Sequence, residues 1–446
     1  MRNLNRAFWG LMALVTLLWL FADLSVFQSS GFFAIRSLAV QYSGLLAMAC
    51  MSVAMILATR PRWPERWLGG LDKMYRFHKW LGISALVLAI VHWLWTQAPK
   101  WAVGWGWLER PARAPRVPPE NPVEALFAGL RHTAEGWGEW AFYAAAGLIV
   151  VALLERIPYR FFYRTHRFLA AAYLVLVFHA VVLTQFSYWA SPLGIMLAIL
   201  LAYGTWAAIV VLSRRVGRTR QVPGRIAALQ YYPGVQALET TLDVGEGWPG
   251  HRPGQFAFAM SDPAEGAHPY TIASAWNEDE RQITFITRAL GDHTRRLPEK
   301  LHAGQVVKIE GPYGCFTFDD DRARQIWIGG GIGITPFIAR MKYLARHASG
   351  QRPQIDLFHC TADVDDEALN KLQADAEAAG VRLHILIDSR DGRLDGARIR
   401  AMVPDWKEAS LWFCGPVSFG DALRRDFAAQ DFPIVERFHQ ELFAMR

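Results

Sequence analysis

Cysteine is scarce in this chain. Its 446 residues include four, Cys50, Cys315, Cys360 and Cys414, with no CxxC pair and no regular spacing, which excludes a disulfide framework and a cysteine-based zinc site. Charged residues are also few, 20% against 52% hydrophobic. That balance excludes a wholly soluble protein, and the length exceeds one ordinary domain. The net charge of +7 does not indicate nucleic acid, because much of the excess sits in short loops beside apolar segments, as positive-inside topology requires. No A-x-A cleavage pattern follows the first apolar run, so that run reads as a membrane helix rather than a signal peptide.

What the chain has instead is long apolar runs that carry histidine. FHKWLGISALVLAIVHWLW, residues 77–95, contains His78 and His92; THRFLAAAYLVLVFHAVVLTQF, from Thr165, contains His166 and His179. An ionisable ring inside a membrane segment is costly and marks a functional site. Fourteen residues set His78 and His92 about 21 Å apart on one helix face, within a hydrocarbon core about 30 Å thick. Neutral imidazole is an axial ligand of haem iron, so the economical expectation is two stacked b-type haems, each clamped by one histidine from each helix. One difficulty stays open. His166 and His179 are thirteen residues apart, which on a straight helix puts them about 140° out of phase.

Four more apolar runs bring the expected spans to six: AFWGLMALVTLLWLFADLSVF from Ala7, LAVQYSGLLAMACMSVAMILA from Leu38, EWAFYAAAGLIVVALL from Glu139 and SPLGIMLAILLAYGTWAAIVVL from Ser191. The basic loops TRPRWPERW and ERIPYRFFYRTHR place His78 and His166 on the cytoplasmic side of a cell (inner) membrane, with both termini inside. His78 then pairs with His166, and His92 with His179. Arg76, Lys79, Arg164 and Arg167 near the inner pair read equally as haem-propionate partners or as ordinary positive-inside residues. From Thr96 to Trp137 an external segment is expected, irregular at PARAPRVPPENP and briefly helical at NPVEALFAGLRH, as a cap over the outer haem.

After Arg220 the pattern changes to short alternating strands, RIAALQYY, VQALETTLDV, GQFAFAM, RQITFITRAL and QVVKIEG, punctuated by proline and glycine. They predict a small antiparallel β-barrel or sandwich. From about Arg324, strands alternate with helical stretches, which predicts a doubly wound α/β domain. The expected fold is therefore multi-domain: an all-α six-helix transmembrane bundle over residues 1–215, an antiparallel β-barrel over 216–320 and a doubly wound α/β domain over 321–446.

Within these, GGGIGITP, Gly329 to Pro336, follows a strand and opens a helix; glycine lets the backbone approach a pyrophosphate at the helix N-terminus. The run is not G-x-G-x-x-G, so a variant nucleotide fold is expected. In HPYTIAS, Tyr270 offers a stacking face for a flavin and Thr271 a hydrogen bond to its edge. RALGDHT joins a cation to Gly291 and a polar run suited to a flavin pyrophosphate, and GPYG, from Gly311, closes the barrel.

With these motifs in this order, nearly the whole chain resembles the NADPH oxidase and ferric reductase superfamily, of bacterial type, in which a six-helix di-haem domain is joined to a flavin and nicotinamide module of ferredoxin-reductase type. The resemblance implies FAD contacts at His268, Pro269, Tyr270, Thr271 and Ser274, with Tyr where the family usually has Phe. It implies pyrophosphate contacts at Arg288, Gly291, His293 and Thr294, a nicotinamide dinucleotide loop at Gly330, Gly331, Gly333, Thr335 and Pro336, and a cysteine near the nicotinamide ring at Cys414, followed by Gly415 and Pro416. A family aromatic that covers the flavin corresponds to Phe443, here followed by three more residues. The thirteen-residue histidine spacing is similar to that of the oxidases. For the electron donor, Asp363 and Asp365 suit the ribose hydroxyl of NADH, whereas Arg390 and Arg393 suit the 2′-phosphate of NADPH; both remain open.

The expected activity is transmembrane electron transfer from cytoplasmic NAD(P)H through FAD and two haems to an external small acceptor, dioxygen giving superoxide or a ferric chelate. The alternative from another class is a haem subunit relaying electrons to a partner protein. Lipid and the small acceptor are the expected partners, with no nucleic acid.

Overall fold

A computed structural model describes residues 2–27, 31–109, 119–154, 156–263, 265–347 and 352–441. The chain divides into two compact units. One comprises Met1–Leu68 with Lys73–Val216, and the other is chiefly Gly217–Met445.

The first unit is helical: α1 (Arg2–Ala22), α2 (Phe32–Ala58), α3 (Leu71–Gly104), α4 (Pro122–Leu153), α5 (Tyr159–His166), α6 (Phe168–Leu183) and α7 (Pro192–Leu212). Six segments are long and apolar enough to cross a membrane, with α5 and α6 contributing one between them. Six spans are what the apolar runs predict. Helix α2 is the most enclosed of them, 61% of its apolar window being buried, because α1, α6 and α7 all pack around it. Small residues permit the closest approaches. A Cβ on Gly204 of α7 would meet the Tyr173 hydroxyl at 2.0 Å, and Tyr173 itself is fully buried, 2.8 Å from the Ser52 hydroxyl on α2.

The stretch from Thr96 to Trp137 corrects the sequence reading. Helix α3 continues to Gly104, across Pro99, and α4 begins at Pro122, so the short amphipathic helix and the fourth span are one element of 32 residues. Asn121 caps it by accepting from the Val123 amide at 2.9 Å, with Pro122 at the first position, where a missing N–H costs nothing. Arg110, Arg113 and Arg116 of that stretch lie outside the described residues.

The second unit holds two sheets. The antiparallel sheet runs β4-β3-β6-β1-β2-β5, from β1 (Gln221–Tyr232), β2 (Ala237–Val244), β3 (Phe256–Met260), β4 (His268–Thr271), β5 (Gln282–Arg288) and β6 (Val306–Tyr313). It closes where β4 runs on into an Ile272–Phe285 bridge. The alternating burial of β1 and β2 turns Val222, Ile226 and Leu242 into one core with Trp248, Ile272, Ile283 and Phe285.

The parallel sheet runs β11-β10-β7-β8-β9, from β7 (Arg324–Gly330), β8 (Gln354–Thr361), β9 (Arg382–Ile387), β10 (Ser410–Cys414) and β11 (Phe438–Gln440). Helices α8 (Thr335–Arg346) and α9 (Asp366–Ala379) cover one face, α10 (Gly396–Met402) and α11 (Val417–Ala428) the other. Strand order reverses between β7 and β10, and in such sheets the ligand crevice opens at that switch, beyond the carboxyl ends of the strands.

Candidate functional site

The four membrane histidines meet as two pairs. His78 on α3 faces His166 at the end of α5, with ring centres 5.9 Å apart; His92 on α3 faces His179 on α6, at 6.2 Å. Three rings are fixed by backbone carbonyls, which can only accept. His78 Nδ1 donates to Ala54 O at 2.9 Å, His92 Nδ1 to Val40 O at 2.9 Å and His179 Nδ1 to Ala134 O at 2.8 Å. Each ring therefore keeps its proton on Nδ1, leaving Nε2 as a lone-pair donor, the state in which proteins present imidazole to metals. His166 Nδ1 is buried without such a partner.

The spacing has a simple origin. Ala54 and Val40 are fourteen residues apart on α2, as His78 and His92 are on α3, so two helices in register support both levels. Between His166 and His179 the helical hydrogen bonding is interrupted at one residue: α5 ends at His166, Arg167 keeps helical dihedrals while its carbonyl accepts from Ala170 N at 3.0 Å, and α6 starts at Phe168.

These residues fit a metal held between two imidazoles. With metal–nitrogen bonds of about 2 Å on either side, ring centres stand about 6 Å apart, as found. Glycine makes room for them. A Cβ on Gly138 would lie 1.9 Å from His179 Nδ1 and one on Gly44 3.1 Å from His92 Cε1, whereas at Gly82, one turn along the face of His78, a Cβ meets nothing within 4 Å.

In the barrel, His268 and His293 stack in parallel, 4.0 Å between centres and 11° between planes, and the Tyr270 hydroxyl lies 3.1 Å from His293 Nε2. Burial pushes His268 down to about 4 and lowers His293 as well, so both are neutral at pH 7. Glu265 joins them to form a group with ligand atoms within 4.8 Å of one another. A metal bound to imidazole lies in the ring plane, and two parallel offset planes share no such point; the stack therefore does not hold an ion as it stands. Thr271 is buried, and Ser274 accepts from the Thr284 amide at 3.1 Å, committing its hydroxyl to the barrel wall. Thr294 caps its own turn, accepting from Leu290 N at 3.0 Å and Gly291 N at 3.1 Å. A Cβ on Gly311 would press on Trp248 and Ala257, so the GPYG corner is close-packed.

The Arg288 side chain makes its ion pair with the α/β sheet. Its guanidinium pairs with Asp363 and would be 3.4 Å from a Cβ on Gly331, which places it over the glycine turn of the α/β sheet. There Gly330 and Gly331 lead into a single turn, Gly331–Ile334, and then α8, with Thr335 donating back to Ile332 O at 2.8 Å and Pro336 in the first turn. Gly331 adopts φ +57°, a conformation that favours glycine. A Cβ on Gly333 would strike Cys414 O at 2.2 Å, one on Gly330 would meet Pro416 Cδ at 2.9 Å, and Gly415 is as tightly opposed. Backbone thus meets backbone across the β7–β10 switch. Burial raises the Cys414 thiol well above its ordinary range, so it is a neutral thiol. Phe443 lies outside the described residues.

Beside this turn a cavity of about 100 Å³ is lined by Arg288, Gly331, Thr361, Asp363 and His359, with apolar walls from β5, α8 and α9. Sequence reasoning missed His359, which burial pushes down to about 4 and whose Nδ1 is buried without a hydrogen-bond partner. It also missed the Lys371–Glu239 pair at 2.8 Å at the cavity edge; both look like ordinary strand and helix residues in the sequence. Asp365 caps α9, accepting from Ala368 N at 3.1 Å and Gly234 N at 2.9 Å. Arg390 is exposed and pairs with its neighbour Asp391 at 3.0 Å, Arg393 is exposed, and neither lines the cavity.

Residues 43–177 match the family described as ferric reductase like transmembrane component. The stachydrine N-demethylase reductase subunit Stc4 of Rhizobium meliloti is 28% identical over 210 residues, 43% of this chain and 58% of that protein. An NADPH oxidoreductase of Mycobacterium tuberculosis is 30% identical over 247 residues, 51% of this chain and 61% of that one. Ferric reduction oxidase 8, mitochondrial, of Arabidopsis thaliana is 24% identical over 323 residues, 68% of this chain and 39% of that protein. The chain thus spans about three-fifths of the first two relatives and less of the third.

Proposed function

The chain joins a ferric-reductase-like transmembrane domain to a ferredoxin-reductase-like FAD- and NAD(P)-binding domain, and from that premise we propose an enzyme that moves electrons from cytoplasmic NAD(P)H across the membrane to a small acceptor. The observation that carries it is the pair of histidine couples, one at each level of α3, with three Nδ1 protons fixed by carbonyls. FAD, when bound, exchanges a hydride for single electrons, and b-type haem, when bound, carries electrons one at a time.

The side chains bind and orient. His78 with His166 and His92 with His179 would hold the haem irons, one pair at each level. Carbonyl partners hold His78, His92 and His179 in the ligating tautomer and set the direction of those three rings. His268, Tyr270, Thr271 and His293 form the flavin face, and the turn from Gly330 to Pro336 receives the dinucleotide pyrophosphate on α8 amides. Cys414 and Gly415 border the nicotinamide end of the switch. As a neutral buried thiol, Cys414 supplies packing and no charge. No side chain in this arrangement needs to act as nucleophile.

The acceptor we favour is dioxygen, reduced to superoxide. A ferric chelate is the second reading, supported by the match to the ferric reductase transmembrane family. The test is the purified protein, reconstituted with haem and FAD, assayed for NAD(P)H oxidation with ferric citrate and, separately, for cytochrome c reduction sensitive to superoxide dismutase. Dismutase-sensitive reduction supports dioxygen, and stoichiometric ferrous product under argon supports the chelate. Absence of a Soret band, with no bound haem by pyridine haemochrome, refutes the transmembrane route itself.

A further inference from the structure

We propose that Asp363 makes this protein selective for NADH over NADPH, with Arg288 as the counter-ion that holds it in place; this deepens, and rests on, the reading of the cleft as a nicotinamide dinucleotide site. Asp363 follows β8, the second strand of the doubly wound sheet, which is the position from which an acid reaches the adenosine ribose hydroxyls in such folds. Of the two acids there, Asp365 is used up, its carboxylate accepting from two backbone amides, Ala368 and Gly234. Asp363 has no such duty. Its side chain is 44% exposed, lines the cavity beside Gly331 and, among the described residues, bonds only a guanidinium that is itself 31% exposed.

The charges around it decide the sign. The cavity is lined by Arg288, Lys342 and Lys371 and by Glu239, Asp363 and Asp375, so cations and carboxylates are equal in number. Arg288 holds Asp363, and Lys371 holds Glu239 at 2.8 Å. With NADH both members of the first pair are used together: Arg288 stands over the Gly331 turn where a pyrophosphate sits, and Asp363 accepts from the ribose diol. With NADPH the 2′-phosphate brings two negative charges to the carboxylate, and among the described residues no surplus cation lines the cavity to neutralise them. Arg390 and Arg393 do not line it.

The test uses the full FAD-loaded chain in detergent, titrated calorimetrically with ADP-ribose and with 2′-phospho-ADP-ribose, fragments that cannot react. Anaerobic flavin bleaching by NADH and by NADPH is followed in parallel. ADP-ribose is expected to bind at least about tenfold more tightly than its phosphorylated form, the scale on which a like charge placed against a ligand discriminates. Asp363→Asn, which keeps the shape and removes the charge, should shrink that ratio to within about threefold, with the flavin spectrum and melting temperature unchanged; Asp363→Ala is the second variant should the amide misfold. Tighter binding of the phosphorylated fragment by the wild type, or an unchanged ratio in both variants, overturns the assignment. If neither fragment binds and neither dinucleotide bleaches the flavin, the cleft is not a dinucleotide site and the proposal falls with that reading.

Discussion

Gly138→Ala isolates the outer histidine pair by a single methyl group. The added Cβ would sit 1.9 Å from His179 Nδ1, and both α4 and the ring are fixed by the 2.8 Å bond to Ala134 O on the same helix, so the ring has to leave. Overpacking of this kind costs about 1–3 kcal/mol, and the unmade buried hydrogen bond adds about 1–3 kcal/mol. Alanine returns up to about 1 kcal/mol through helix propensity. The net loss is therefore about 1–6 kcal/mol, concentrated at one of the two levels. Gly136→Ala, two residues away on the same helix, is the control: its Cβ meets nothing within 4 Å, and only the propensity gain remains. The assay is haem per chain by pyridine haemochrome, with the melting temperature in detergent. Gly138→Ala should fall from two haems towards one and melt earlier, while Gly136→Ala keeps both and melts no earlier than the wild type. Two haems and an unchanged melting temperature in Gly138→Ala would refute the placement of His179 as a ligand.

Four further outcomes follow from contacts elsewhere. Burial alone would raise Asp356, but the hydrogen bond from His384 at 2.6 Å and the charges of Arg324 and Arg382 outweigh it and hold the carboxyl below its ordinary range. Its contribution is thus complete above the unfolded carboxylate pKa of about 4 and is lost as pH falls below that; Asp356→Asn should flatten this acid limb in a pH series of melting curves, and a limb as steep as the wild type's would count against it. Asp356→Ala should destabilise by less than the about 3–5 kcal/mol of a wholly unpaired buried charge, since Arg324 loses one carboxylate but keeps Asp405 at 3.0 Å, and denaturant unfolding monitored by flavin release measures it. In the membrane unit, Tyr173→Phe and Ser52→Ala should each destabilise by about 1–3 kcal/mol while the double variant recovers most of that, because only the single changes leave a buried hydroxyl unpaired; strict additivity in the thermal double-mutant cycle would contradict the contact. Finally, Cys414 is buried and its thiol is neutral, so iodoacetamide at pH 8 should label it only after unfolding, as peptide mass spectrometry reads directly, and native-state labelling at the rate of a free thiol would show the thiolate to be accessible.

Much of the fold was legible because it follows from periodicity. Apolar runs of membrane length marked the spans, alternation marked β1 and β2, and the strand-glycine-helix order marked the α/β sheet. The boundaries that were misplaced are those where polar residues sit within a continuous helix: Glu124 and Arg131 read as a short separate helix of an external segment that also held Glu135, yet α4 runs unbroken through all three from Pro122. The short strand Phe438–Gln440 gave no alternation to read. Among the site residues, motifs located the glycine turn and the histidines but not their partners. Nothing in the sequence says that Arg288 pairs with Asp363, since that choice depends on two elements 75 residues apart meeting over Gly331.

The sequence by itself determined that six apolar segments precede a barrel and a doubly wound sheet, because hydrophobic period and length are local properties. It also determined that four imidazoles lie at two depths, because position along a helix is counted in residues. Tertiary structure alone decided which atoms those groups are left with. Val40, Ala54 and Ala134 offer carbonyls that any residue has, and only packing aims them at Nδ1 and leaves Nε2 available. The same is true of Asp363 and Asp365, chemically identical in the sequence: one is used up by the helix it caps and by a barrel amide, and the other is left facing the cleft.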